Sequence, residues 1–179
     1  MKTILIIIAI TAVVLVGFGA TYAMINATNS PITQSVSSAD IDALTVAISG
    51  EINYPGTYVL TKGAKLLDLI SAAGGTNSNA DSLAFNTDYA IENKGSYYIA
   101  PLYDNSDNCS ASPIIKTNIN ADDADTMQTI AGFTKTVANA IVSYRSSSPF
   151  KAIEEIKNVS GIGAATYEKV KAKVTLRSA

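Results

Sequence analysis

The chain has 179 residues, a mass of 18.7 kDa, a formal net charge of −2 and a mean hydropathy of +0.21, which leaves room for one ordinary domain or two small ones. It has no His and a single Cys, so Ser-His-Asp and Cys-His catalysis, a Cys/His zinc site and any intramolecular disulfide are excluded. Charged residues make up 16%, against about 25% in an average protein.

Part of that deficit lies at the start. No charge occurs from Thr3 to Ala39, and Ile4 to Ile25 is apolar except for Thr11, Thr21 and Tyr22. A helix of that length crosses the roughly 30 Å hydrocarbon layer. Lys2 precedes it and the first acid after it is Asp40, which predicts a cytoplasmic N-terminus and extracellular C-terminal domains. Thr21-Tyr22-Ala23 is a poor signal-peptidase site, and the run exceeds the 7–15 residues of a signal-peptide core. Residues 1–25 therefore read as a retained single-pass anchor in the cell membrane. Residues 26–42, rich in Asn, Ser and Thr, read as a stalk.

Leu44, Val46 and Ile48 alternate with small or polar residues, the pattern of a half-buried strand. Asn53-Tyr54-Pro55-Gly56 is a turn, and Thr57 to Leu60 a second strand. Leu66, Leu67, Ile70 and Ala73 have helical spacing, stopped by Gly74-Gly75. Ser96 to Ala100 reads as a last strand, ended by Pro101. Residues 43–102 thus predict a small α+β domain. A polar linker, 103–115, follows and holds Cys109, which reads as an incidental thiol or a site for an intermolecular disulfide.

Residues 116–179 predict an all-α domain. Asn120 reads as an N-cap with Asp122 and Asp123 in the first helical turn. Helices are expected near 121–129, 135–146, 151–157 and 164–174, with hairpins at 131–134 and 160–163. The decisive pattern is a repeat. Thr129-Ile130-Ala131-Gly132-Phe133-Thr134-Lys135 returns 29 residues later as Asn158-Val159-Ser160-Gly161-Ile162-Gly163-Ala164. A Gly-apolar-Gly turn opening a helix aims free backbone N–H groups outward at the positive end of the helix dipole, where phosphate binds. Two copies suit a nucleic-acid backbone better than a single nucleotide.

These residues resemble tandem helix–hairpin–helix motifs. Asn118-Ile119-Asn120-Ala121, Tyr144-Arg145, Pro149-Phe150 and Asn158 to Gly163 together resemble the DNA-binding domain of the ComEA family of bacterial competence DNA receptors. Val46 to Glu51, Pro55-Gly56-Thr57-Tyr58, Ala72-Gly74-Gly75 and Tyr98 to Pro101 resemble the soluble-ligand-binding β-grasp domain that anchored members carry. The resemblance implies a membrane anchor, a β-grasp domain associated with self-association, and binding of double-stranded DNA for uptake in transformation. It implies the DNA-uptake channel machinery as a partner, and no cofactor.

Charge supports that division. Residues 27–112 carry three bases and nine acids, a net −6, and residues 113–179 carry nine bases and six acids, a net +3. The half with the hairpins is the basic one. The expected DNA contacts are Gly161, Ile162, Gly163, Ala164, Ala165, Lys169 and Lys173, helped by Gly132, Phe133, Thr134 and Lys135. Gly161 and Gly163 are expected to supply positive φ, Ile162 to plug the core, and the amides of Gly163, Ala164 and Ala165 to hold phosphate. Lys169 and Lys173, four apart, are expected on one helix face. Thr134 stands where the family has its second Gly, which predicts a distorted first turn, since a β-branched residue tolerates positive φ poorly.

No helix shows the Arg, Asn or Gln pairs that address base edges, so sequence-independent binding is expected. Glu154-Glu155 reads as a solvated helix face rather than an acid–base pair. Asn118-x-Asn120-x-Asp122 fails the calcium-loop pattern at its sixth and twelfth positions, Asp123 and Thr129. No enzyme activity and no metal are expected. The alternative is a surface scaffold or ligand-binding protein acting through the β-grasp domain, with hairpins that only pack helices.

Overall fold

In the computed structural model, residues 42–105 and 112–178 are described. The apolar run Ile4–Ile25, nearly all of the stalk and Cys109 lie outside them. Among the described residues no helix is long and apolar enough to cross a membrane.

The first half forms a three-stranded sheet in the order β2-β1-β3. β1 (Ala43–Gly50) runs antiparallel to β2 (Gly56–Thr61) and parallel to β3 (Ser96–Ile99). The alternation read in the sequence is realised: Val46 and Ile48 are 1% and 2% exposed while Thr45 and Ser49 face solvent. Helix α1 (Leu66–Ala72) lays Leu66, Leu69 and Ile70 on that face. Its first turn is closed by Asp68, whose Oδ2 accepts the Lys65 N–H at 2.8 Å.

β4 (Tyr103–Asp104) and β5 (Ser112–Pro113) pair antiparallel inside the segment expected to be a linker. β6 (Thr117–Asn118) then opens the helical half, followed by α2 (Ala124–Ala131), α3 (Lys135–Ser147), a 3-10 helix (Ile153–Asn158), α4 (Ala164–Val170) and β7 (Val174–Thr175). Ile119, Met127, Phe133, Ile141, Phe150, Ile156, Ile162 and Tyr167 meet in its core.

Two expectations change here. The N-cap of α2 is Asp123, whose Oδ1 accepts the Thr126 N–H at 2.8 Å, a bond that also holds its carboxyl below the usual range. Asn120 is a staple instead. Its Nδ2 donates to the carbonyls of Phe150 and Leu176, and its Oδ1 accepts the Phe150 N–H. The last helix also ends early, at Val170, because the chain turns and pairs β7 parallel to β6. Buried Thr117, Val174 and Thr175 make that closure.

The two halves pack on each other. The carboxylate of Glu154 accepts the Tyr98 N–H of β3 at 2.8 Å and the Tyr167 hydroxyl at 3.2 Å. The solvated face expected for Glu154 is therefore overturned: burial raises its carboxyl pKa, against the bond from Tyr98. Lys116 pairs with Asp81, both side chains nearly fully buried at 6% and 4% exposure. The Arg177 guanidinium donates to the carbonyls of Ser82 and Phe85.

Candidate nucleic-acid interface

Both hairpins are built alike. Helix α2 ends at Gly132 in the left-handed region, φ 77° and ψ 26°, and the Gly132 N–H closes on the Gln128 carbonyl. Gly161 takes the same region at φ 91°. Phe133 and Ile162 follow, each 5% exposed, and anchor their turns in the shared core. Thr134 and Gly163 then stand as the N-caps of α3 and α4.

This corrects the role expected of the second Gly. Gly163 has φ −90° and ψ 179°, ordinary extended backbone, and a Cβ built on it would meet nothing within 4 Å. Thr134 has φ −69° and ψ 155°, so its β-branch causes no distortion. Positive φ belongs only to the first Gly of each hairpin. Gly161 needs it in a tighter place, since a Cβ there would lie 3.0 Å from Cγ2 of Val137, in the first turn of α3. That contact brings the second hairpin against the start of the helix that the first hairpin opens.

The caps differ in what they leave exposed. The Thr134 hydroxyl accepts the Val137 N–H at 3.3 Å, which occupies one of the amides at the start of α3. Gly163 has no side chain to do this. Among the described residues the amides of Gly163, Ala164, Ala165 and Thr166 find no protein acceptor. Gly161, Gly163, Ala164 and Ala165 are exposed, so these donors face solvent at the positive end of α4.

The cations are more divided than the sequence suggests. Lys135 is the first residue of α3 and exposed, and Lys169 is exposed on α4. Lys173 does not share the α4 face with Lys169 as expected. It stands beyond the helix end, with its N–H on the Val170 carbonyl, and lines a cleft of about 370 Å³ with Glu51, Asn79 and Tyr103. Lys116 and Lys171 are tied in ion pairs with Asp81 and Glu168. Arg145 donates to the carbonyls of Ile119 and Ala121. Among the described residues of the helical half, Lys135, Lys151, Lys157, Lys169 and Lys173 form no ion pair. Lys157 lies 4.9 Å from the Tyr167 ring centre. Sequence reasoning missed the Thr166 amide, although its place at the third position of α4 was readable from Gly163 as a helix start.

A family model of the helix-hairpin-helix motif matches residues 112–175, and one of the SLBB domain matches residues 45–86. ComE operon protein 1 of Bacillus subtilis (strain 168) is 28% identical over 146 residues, 76% of this chain and 71% of that protein. The chain is similar to the ComEA family along most of its length. A shorter likeness, 39% identical over 64 residues, links it to endonuclease/exonuclease/phosphatase family domain-containing protein 1 of Xenopus laevis. The Homo sapiens protein of the same name is 38% identical over 64 residues. These matches take in 35% of this chain and only 12% and 11% of those proteins.

Proposed function

We propose that this chain binds double-stranded DNA without sequence preference, as a membrane-anchored extracellular receptor for DNA uptake in transformation. The observation that carries the reading is the row of amides from Gly163 to Thr166 without a protein acceptor, at a hairpin inside the matched helix-hairpin-helix segment. Lys135 and Lys169 add unpaired charge on the two helices the hairpins open. Amide-to-phosphate contacts position a duplex without reading bases. The membrane part of the proposal rests on the Ile4–Ile25 run and Lys2. Self-association through the β-grasp domain and delivery to an uptake channel rest on the resemblance to the ComEA family.

Fluorescence anisotropy with unrelated duplexes at several salt concentrations tests the DNA reading. Affinity is expected to be alike for all duplexes and to fall with salt at a log–log slope near −3 to −4, for about four neutralised phosphates. Strong preference for one duplex, or no binding at low salt, sinks it. Protease added to intact cells tests the topology: the folded domains are expected to be digested and a small membrane-held fragment to survive.

A further inference from the structure

Two small domains joined by a polar segment are expected to move independently. Here they touch at three separate places. At the edge of the sheet, the Tyr98 N–H points away from β1 and is taken by Glu154, which also holds the Tyr167 hydroxyl of α4. At the loop before β3, Asp81 binds Lys116 through Oδ2 while its Oδ1 accepts the Leu83 N–H. The C-terminal segment reaches the same loop, with the Leu176 N–H on the Leu83 carbonyl at 3.0 Å and Arg177 on Ser82 and Phe85. At the junction, the Ile114 N–H closes on the Leu102 carbonyl at 2.9 Å, and the Tyr103 backbone exchanges two bonds with the Asn79 side chain.

One contact leaves a swivel and two leave a hinge axis. Contacts on a strand, a loop and a junction leave neither. The polar groups in this seam are also committed. A nearly buried Lys116–Asp81 pair that lost its partner would leave a bare charge in a dry place, so separation of the halves is opposed at that point by desolvation. Glu154, in the same seam, would lose the Tyr98 N–H on separation and keep only the Tyr167 hydroxyl of its own half.

We propose that the β-grasp and helical halves work as a single rigid body latched by Glu154, the Asp81–Lys116 pair and Arg177, which fixes the hairpins in one orientation to the sheet. Glu154 is a positioning residue in this scheme. It touches no phosphate and acts through β3. A duplex seated on the hairpins then holds the whole body, sheet included, at one angle to the DNA axis. Only this last consequence rests on the DNA-binding reading.

The test uses the full chain carrying Cys109→Ser, with spin labels on Thr57→Cys in β2 and Ser143→Cys in α3, both exposed positions. Pulsed electron–electron resonance is expected to give one narrow distance without DNA. A broad or multiple distribution in this parent overturns the latch, whatever the protein does with DNA. Glu154→Ala combined with Arg177→Ala is expected to broaden the distribution while circular dichroism stays that of the parent. A double variant as narrow as the parent removes these residues from the latch. Glu154→Gln keeps a carbonyl for both donors and is expected to restore the narrow distance in the Arg177→Ala background, whereas Glu154→Met, which keeps the stem without the acceptor, is expected to leave it broad. Added duplex is expected to leave the distance unmoved. A shifted distance shows that the halves rearrange on binding and overturns the rigid body, while an absence of binding bears on the DNA reading alone.

Discussion

The two hairpins share a backbone and differ in one decisive side chain. Gly132 and Gly161 both turn in the left-handed region, Phe133 and Ile162 both plug the core, and Thr134 and Gly163 both cap a helix in extended conformation. The turn is therefore written by its first Gly and its apolar plug. The position after the plug is free to serve what lies outside. At the first hairpin it holds a hydroxyl that takes the Val137 amide, next to the charge of Lys135. At the second it holds nothing, next to Ala164, and the amides stay open. The first hairpin offers charge beside three open amides, Thr134 to Thr136, and the second offers four, Gly163 to Thr166.

The largest effect should come from the shared Gly. Gly161→Ala puts a Cβ at φ 91° and 3.0 Å from the Val137 side chain. Left-handed backbone and crowding together should cost about 2–3 kcal/mol of stability. Gly132→Ala has the same backbone penalty at φ 77° but open space around the new Cβ, so about 1 kcal/mol is expected. Urea denaturation of the two variants measures the difference. Equal losses would mean that the Val137 contact adds nothing to the strain.

The next effect separates donors from charge. A backbone amide can be deleted with Pro, which is tolerated at the first helical position. Ala164→Pro removes one open donor, and the extended Gly163 before it suits a following Pro. DNA affinity should fall about tenfold, or roughly 1.4 kcal/mol, with stability unchanged. At the first hairpin, Lys135→Pro should lose little beyond what Lys135→Ala loses, because charge rather than amide geometry dominates there. A large extra loss for Lys135→Pro would make the two hairpins equal phosphate seats.

Most of the elements were legible because their signals are local. The alternation of Val46 and Ile48, the helical spacing of Leu66, Ile70 and Ala73, and the repeated Gly-apolar turn each sit within one window of sequence, although Leu67, read on the same face, is 52% exposed and Leu69 is buried in its place. What escaped was nonlocal or degenerate. Gly is compatible with both left-handed and extended backbone, so the conformation of Gly163 was not legible, and Thr134 looked like a misfit only because of that. Glu154 looked solvated because its partner Tyr98 lies 56 residues away on a strand edge. The two-residue ladder of Thr117–Asn118 with Val174–Thr175 is too short for any periodicity, yet it ends the last helix four residues early and moves Lys173 off it.

The smallest effect is the most diagnostic, because it exchanges the caps alone. Gly163→Thr should let a hydroxyl take the Thr166 amide as Thr134 takes that of Val137. Helix stability should rise by a few tenths of a kcal/mol, and Thr134→Gly should lose about as much. DNA affinity should fall about two- to threefold in Gly163→Thr, roughly 0.5 kcal/mol, as one donor is engaged and a methyl stands beside the rest. Thr134→Gly should bind equally well or better. The double exchange is the sharper arm. It frees the Val137 amide beside Lys135, so affinity should recover and should become more sensitive to Lys135→Ala than it is in the parent. Anisotropy titrations of the four proteins, each with and without Lys135→Ala, read this coupling directly. If Lys135→Ala costs the same in every background, the cap side chain does not decide where phosphate sits, and the difference between the hairpins lies only in their charge.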